Sequence, residues 1–290
     1  MPLVGTGRIV APAAEHHRGV AAFNVVQLEH VEAVVTGAEA AGAPVVLQIS
    51  ENTVRYHGEL APLACAALAA ARAARVPVAV HLDHATTADL VAEAVELGLG
   101  SVMFDASTLD YADNVAATAE IVGRCHAAGV WVEAELGEVG GKDGVHAPGA
   151  RTDPREAADY VRATGVDALA VAVGTSHAML SRDAELDFDL IAALRAAVPA
   201  PLVLHGSSGV PDADLGRAVR AGMTKINLAT RLNQAFTEAV RARLDASPTT
   251  VDPRKYLGPA RAAVADQVEH LLGVLHAVPH EGSTVESAQL

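Results

Sequence analysis

The sequence predicts a single α/β domain folded as a (β/α)8 barrel, the TIM-barrel architecture, with an extra C-terminal helix. Three observations predict it. Short β-branched runs alternate with Ala-rich amphipathic stretches eight times along the 290 residues. The runs are apolar throughout rather than alternating, the pattern of parallel strands covered on the outside by helices. No GxGxxG or GxxxxGK loop follows the first run, so the competing open, doubly wound sheet lacks its usual phosphate loop.

Taken in order, strands are expected at GVAAFNVV (19–26), PVVLQIS (44–50), VPVAVHLD (76–83) and SVMFDAS (101–107). They continue at VWVEAELG (130–137), ALAVAVG (168–174), PLVLHGS (201–207) and TKINLAT (224–230). Each follows a helix-like stretch ending near Gly or Pro, and Thr86, Asp110 and Thr152 stand where helix N-caps are needed. The stretch DPRKYLGPARAAVADQVEHLLGVL, starting at Asp252, reads as the added helix behind the barrel. The domain is expected to span 1–278, with 279–290 a frayed tail.

Composition narrows the function classes. There are 35 acids against 21 bases, a balance of −14, and no Lys/Arg run, so neither nucleic acid nor an anionic membrane is an expected partner. Cys65 and Cys125 lie in helical-looking stretches and read as reduced, packed thiols rather than a disulfide framework. The start MPLVGTGRIVAPAAEHH lacks the basic beginning and long apolar core of a signal peptide, and no apolar run approaches ~20 residues. A cytoplasmic location is expected.

Barrels of this kind place their chemistry at the carboxyl ends of the strands. There the third strand ends in Asp83 and His84, the fourth carries Asp105, and the fifth Glu133 and Glu135. The sixth runs into His177, the seventh ends at His205 and the eighth presents Asn227. Three histidines from separate strand ends can hold one cation and leave a position open for substrate, as a catalytic zinc site requires. The other ten (His16, His17, His30, His57, His81, His126, His146, His270, His276 and His280) are set aside, most of them on helices or loops. His81, two positions before Asp83, shares that residue's side of the strand and can orient a neighbour from the barrel interior.

Several motifs in order resemble the class II, metal-dependent ketose-bisphosphate aldolases, which include the fructose-bisphosphate and tagatose-bisphosphate enzymes. They are AFNV (22–25), HLDH (81–84), EAELG (133–137), GTSH (174–177), LHGSSGVP (204–211), TKINLAT (224–230) and DPRKYLGPAR (252–261). The resemblance implies that His84, His177 and His205 hold a catalytic Zn2+ and that Asp83 moves a proton at the C4 hydroxyl during carbon–carbon cleavage. It places Asp105 and Glu135 near a second cation site, for Zn2+ or a monovalent ion, or near an alternative resting place for the zinc; both can instead hydrogen-bond the ligand histidines. It points to Gly206, Ser208, Asn227, Ala229 and Thr230, together with Ala178, for phosphate. Asn24 and Ser50 match substrate-facing positions, and Arg261 matches a basic residue reaching the distal phosphate from a neighbouring subunit. No Schiff-base lysine is needed, and neither Lys142 nor Lys225 is expected where a buried amine nucleophile would stand. A homodimer or homotetramer is the implied assembly.

Three departures bear on the substrate. The loop GGKDGVHAPGARTDP is short for the family, with Asp143 nearest the usual catalytic glutamate. Ala178 stands where a glycine usually follows the ligand histidine, and Asn52 replaces another glycine. The resemblance makes fructose 1,6-bisphosphate the first expected substrate, with dihydroxyacetone phosphate and glyceraldehyde 3-phosphate as products; the departures are compatible with the alternative, tagatose 1,6-bisphosphate or another phosphorylated ketose. Two further readings stay open: a metal-dependent hydrolase, which lacks its HxH at the first strand, and a non-catalytic accessory barrel, which has no use for Asp83.

Overall fold

Why eight apolar runs close on themselves is visible in the computed structural model, which describes residues 2–136, 151–176 and 181–275. They form parallel strands β1 (Val20–Asn24), β2 (Val45–Ser50), β3 (Val78–Ala85), β4 (Ser101–Phe104), β5 (Trp131–Leu136), β6 (Ala168–Val171), β7 (Leu202–Leu204) and β8 (Met223–Leu228). The strands pair in sequence order and close into a barrel, β8 against β1. Every expected run contains a strand, and most stop short of the expected carboxyl end, because residues there leave the ladder to build the rim. β2 reaches its expected end at Ser50, and β3 runs on to Ala85.

The helices are α1 (Gly7–Glu15), α2 (Leu28–Ala41), α3 (Glu51–His57), α4 (Ala61–Ala73), α5 (Ala88–Leu97) and α6 (Tyr111–Ala127). They continue as α7 (Pro154–Thr164), α8 (Phe188–Ala197), α9 (Asp212–Ala221), α10 (Thr230–Ala246) and α11 (Arg254–Val274). The added C-terminal helix is α11, which packs on α2 and α10. It approaches α2 so closely that a Cβ at Gly37 would fall 2.5 Å from the Ala265 carbonyl oxygen. Two caps sit one residue later than expected: Thr87 caps α5 and Asp153 caps α7, each by a side-chain oxygen accepting backbone N–H. Thr86 instead donates its backbone N–H and hydroxyl to Glu51, and Thr152 accepts from the Ala172 N–H. Asp110 stands at the start of α6 without a side-chain cap bond. Both cysteines are free, but only Cys125 is buried; Cys65 lies on the exposed face of α4, which corrects the expectation that both are packed.

The outward residues of the strands join one large apolar core beneath the helices, with Val45, Leu47 and Ile49 of β2 as examples. The inward residues follow a different rule. At the amino end Val20, Ala22, Val46 and Ala79 pack with Ile9, Val10 and Ala13, so α1 plugs the barrel floor. Above the floor the interior buries polar residues, Gln48, His81, Ser101, Glu133 and Lys225 being all 0% exposed, beside a small apolar cluster of Met103, Ala168, Ala170 and Val203. No described helix is long and apolar enough to cross a membrane. The segment 279–290 lies outside the described residues.

Candidate active site

Side chains at consecutive strand positions face opposite sides, so Asp83 and His84 cannot both face the barrel mouth in a regular strand. The pairing of β3 with β4 slips between Leu82 and Ala85, giving β3 one extra residue. His84 takes up the slip with a left-handed backbone, φ 54°. A non-glycine residue held there costs on the order of 1–3 kcal/mol, and the bulge re-aims its side chain. Both residues consequently line one cavity. Asp105 Oδ2 lies 2.7 Å from His84 Nδ1, and its Oδ1 accepts from the Ser107 hydroxyl at 2.6 Å. A carboxylate has only acceptors, so Nδ1 donates and Nε2 keeps the lone pair.

His205 is arranged in the opposite sense. It is fully buried, and its Nε2 donates to Glu133 Oε1 at 3.0 Å. Nδ1 is then the nitrogen with the lone pair, 3.6 Å from Glu135 Oε2. The two imidazoles meet edge to face with centroids 4.8 Å apart. Ligand-capable atoms of Asp83, His84 and His205 all lie within 4.8 Å of one another, as do those of His84, Asp105 and Glu135. Asp83 Oδ1 is buried without a hydrogen-bond partner among the described residues. Two imidazoles, each held by a carboxylate through one nitrogen and presenting the other beside a buried, unanswered carboxylate oxygen, fit a divalent cation. His177 lies outside the described residues. The segment leading to it is fastened to the end of β7: Thr175 donates its hydroxyl to the His205 carbonyl at 2.7 Å. Gly206, at φ 65°, packs so tightly under Ser176 that a Cβ would fall 2.5 Å from its carbonyl oxygen.

Asp83 is held from below. Its Oδ2 accepts from Asn24 Nδ2 at 2.8 Å, and Asn24 Oδ1 accepts from Gln48 Nε2 at 2.7 Å. Burial pushes the Asp83 carboxyl up, but His84, His205, Lys225 and the Asn24 bond together outweigh it and hold the group below the usual carboxylate range. Asp83 is thus an ionised acceptor at neutral pH.

The cavity above these residues has a volume of about 230 Å³. Asn24 and Ser50 stand on the β1–β2 side; Gly206, Ser208, Asn227, Ala229 and Thr230 stand opposite, where the N-terminus of α10 opens. Backbone N–H groups at such a terminus favour an anion. Ser50 also caps α3, accepting from the Thr53 N–H at 3.2 Å. Arg231, 2% exposed, clamps the β7 loop by donating to the Ser208 and Val210 carbonyls and pairing with Asp212. Asn52, Thr53, Ser207 and Asn233 also line the cavity and were not anticipated as site residues.

Other expectations land elsewhere. Arg261 is apart from this cavity, on α11, paired with Glu32 of α2 at a separate surface hollow. Asp143 and Ala178 lie outside the described residues, as does Lys142. Lys225 is fully buried in the barrel, its Nζ 2.9 Å from Glu133 Oε2 and donating to Asn227 Oδ1 at 2.8 Å. That ion pair occupies the ammonium, and Lys225 does not line the cavity. His81 is buried as its strand side suggests, but it meets Ser101 at 2.8 Å and not Asp83. Burial, reinforced by Lys225, holds its imidazole well below the usual range. The polar layer, of which sequence reading singled out Glu133 and His81 but not Gln48 or Lys225, has a simple signature. Gln48, His81, Glu133 and Lys225 each lie two residues before a rim residue, on the same face of its strand.

Comparisons with known proteins identify the family and agree with the fold. The profile of the family described as Fructose-bisphosphate aldolase class-II matches residues 4–279. A Bacillus subtilis (strain 168) protein named "Probable fructose-bisphosphate aldolase" is 40% identical over 272 residues, covering 92% of this chain and 95% of its own length. The crystal structure of the YdjI aldolase from Escherichia coli K12 superposes with a TM-score of 0.85 at 31% identity, covering 95% of this chain and 98% of that one. A fructose-bisphosphate aldolase structure from Campylobacter jejuni shares the fold, with a TM-score of 0.82 at 22% identity over 95% of this chain and 96% of that one. With a full-length family match, a closed eight-stranded barrel and a rim cluster able to take the divalent ion on which this family generally depends, the chain belongs to the class II fructose-bisphosphate aldolases and is a carbon–carbon lyase.

Proposed function

We propose that the chain reversibly cleaves fructose 1,6-bisphosphate to dihydroxyacetone phosphate and glyceraldehyde 3-phosphate, with zinc held by His84, His177 and His205. The observation that carries this reading is the meeting of His84, His205 and the ionised Asp83, their ligand-capable atoms within 4.8 Å of one another beneath a cavity that Asp83 and His84 line. When bound, the ion supplies Lewis-acid stabilisation of the oxygen charge that develops as the carbon–carbon bond breaks.

The chain does the rest. Asp83 Oδ1 takes the proton of the C4 hydroxyl, while Asn24 keeps the carboxylate from turning. Asp143 handles the proton on the nucleophilic carbon. Its stem is one methylene shorter than a glutamate's, and a slower step than with glutamate is the expected consequence. Gly206, Ser208, Asn227, Ala229 and Thr230, with Ala178, bind one phosphate at the α10 terminus, and Ser50 faces the substrate from the β1–β2 side. Asp105 orients His84, and Glu135 serves a second cation, zinc or monovalent. Arg261 reaches the distal phosphate of a neighbouring subunit in a cytoplasmic homodimer or homotetramer. The domain occupies 1–278, with 279–290 as its tail.

A second substrate, tagatose 1,6-bisphosphate or another phosphorylated ketose, is favoured by Asn52, which brings an amide to the cavity beside Ser50. A coupled triose-phosphate release assay over a panel of ketose mono- and bisphosphates, with and without chelator, decides. Fructose 1,6-bisphosphate is expected to turn over fastest, with activity lost to chelator and restored by zinc. Turnover surviving exhaustive metal removal, or a lysine adduct trapped by hydride, contradicts the reading.

A further inference from the structure

The buried ammonium of Lys225 lies beneath the two halves of the site. On one side it pairs with Glu133 Oε2 at 2.9 Å, and the other oxygen of Glu133 accepts from His205 Nε2 at 3.0 Å. On the other side it donates to Asn227 Oδ1 at 2.8 Å, and Asn227 lines the cavity. Lys225, Glu133 and His205 are all 0% exposed, so water does not compete for these bonds. An ammonium has donors and no acceptor, whereas a neutral imidazole and an amide each carry both kinds of group and can be presented either way round. Whatever faces the ammonium must therefore be an acceptor, and the rest of each group is turned by default.

We propose that Lys225 is a positioning residue that sets the polarity of both halves of the site at once. Through Glu133 it keeps the His205 proton on Nε2, so that the lone pair of Nδ1 faces the metal-binding residues. Directly, it takes the carbonyl oxygen of Asn227, so that the amide NH2 is left to donate to an anionic substrate. The inference rests on His205 being a metal ligand. It assigns to a residue outside the cavity a role in both metal retention and phosphate binding, coupling two functions that otherwise sit on different strands.

The test uses the full chain with Lys225→Met and Glu133→Gln combined, which removes both buried charges together and leaves neither unpaired. The amide at position 133 can then offer either a donor or an acceptor to His205. Zinc affinity is read by chelator competition, KM by triose-phosphate release, and folding by thermal unfolding. Zinc binding is expected to weaken about 10–100-fold and KM to rise severalfold, while the single variant Asn227→Ala raises KM alone. Wild-type zinc affinity and KM in the folded double variant overturn the proposal. The wild-type protein supplies a reading that needs no variant: imidazole 15N shifts of metal-free protein place the His205 proton on Nε2, and a proton on Nδ1 refutes the idea. His205→Ala separates this from the parent reading. Full-affinity zinc binding in that variant overturns the metal site itself, whereas lost binding there beside intact binding in the double variant overturns only the role of Lys225.

Discussion

The two faces of the barrel wall follow different rules. Outward, β2 presents Val45, Leu47 and Ile49 to a continuous apolar core; inward, the same six residues present Val46, Gln48 and Ser50, passing from floor to polar layer to rim. Burying a leucine is worth about 1.5–3 kcal/mol, whereas a buried ion pair such as Lys225–Glu133 roughly breaks even against its desolvation. Stability therefore resides in the outer face, and the inner face holds orientation. There Gln48 holds Asn24, and Lys225 holds Glu133, so that these chains of contacts end on Asp83, His205 and Asn227.

If that division is right, substitutions on the two faces should separate activity from stability. The largest effect is expected from Asp83→Ala: turnover falls about 10²–10⁴-fold, with metal content and unfolding midpoint near wild type. A comparable loss of stability in this variant breaks the comparison. Next, Leu47→Ala on the outer face should lose about 2–5 kcal/mol in denaturant unfolding, with kcat unchanged in the folded fraction; a selective loss of kcat would show that the wall transmits more than it is credited with.

A third effect belongs to the helix layer. His30 on α2 accepts from the Val26 N–H at 3.2 Å and meets the ring of Phe236 edge to face. Burial lowers its pKa from 6.5 to about 4. The folded value lies below the unfolded one, so between these limits the unfolded chain takes up a proton that the folded chain refuses. Stability should thus fall as pH drops from 6.5 toward 4, by roughly 3 kcal/mol, and level off below. His30→Gln should flatten that limb in unfolding curves taken across the range; parallel curves argue against it. Smallest, Thr87→Ala should cost about 1 kcal/mol by removing the α5 cap, with no change in KM, since the lost bond belongs to the helix ring alone.

Much of this was legible in the sequence, for a physical reason. Parallel strands covered by helices must be apolar throughout, and the polar residues that interrupt such runs at their carboxyl ends have few other reasons to be there. Asp83, His84 and His205 stood out in that way. The polar interior did not, because Lys225 and Glu133 become partners only when closure brings β5 and β8 across the barrel. The bulge at His84 was equally hidden, since nothing local in HLDHATT requires an extra residue against β4. Arg261 matches a motif but pairs with Glu32 within its own chain, and its expected role depends on a second subunit.

Anomalous diffraction from crystals of the zinc-loaded protein, collected at the zinc edge, tests the central claim most directly. The account predicts one dominant peak bonded by His84 Nε2, His205 Nδ1 and His177, with Asp83 beside it facing the cavity. A peak on other residues, or His84 and His205 turned away from a shared ion, would contradict it.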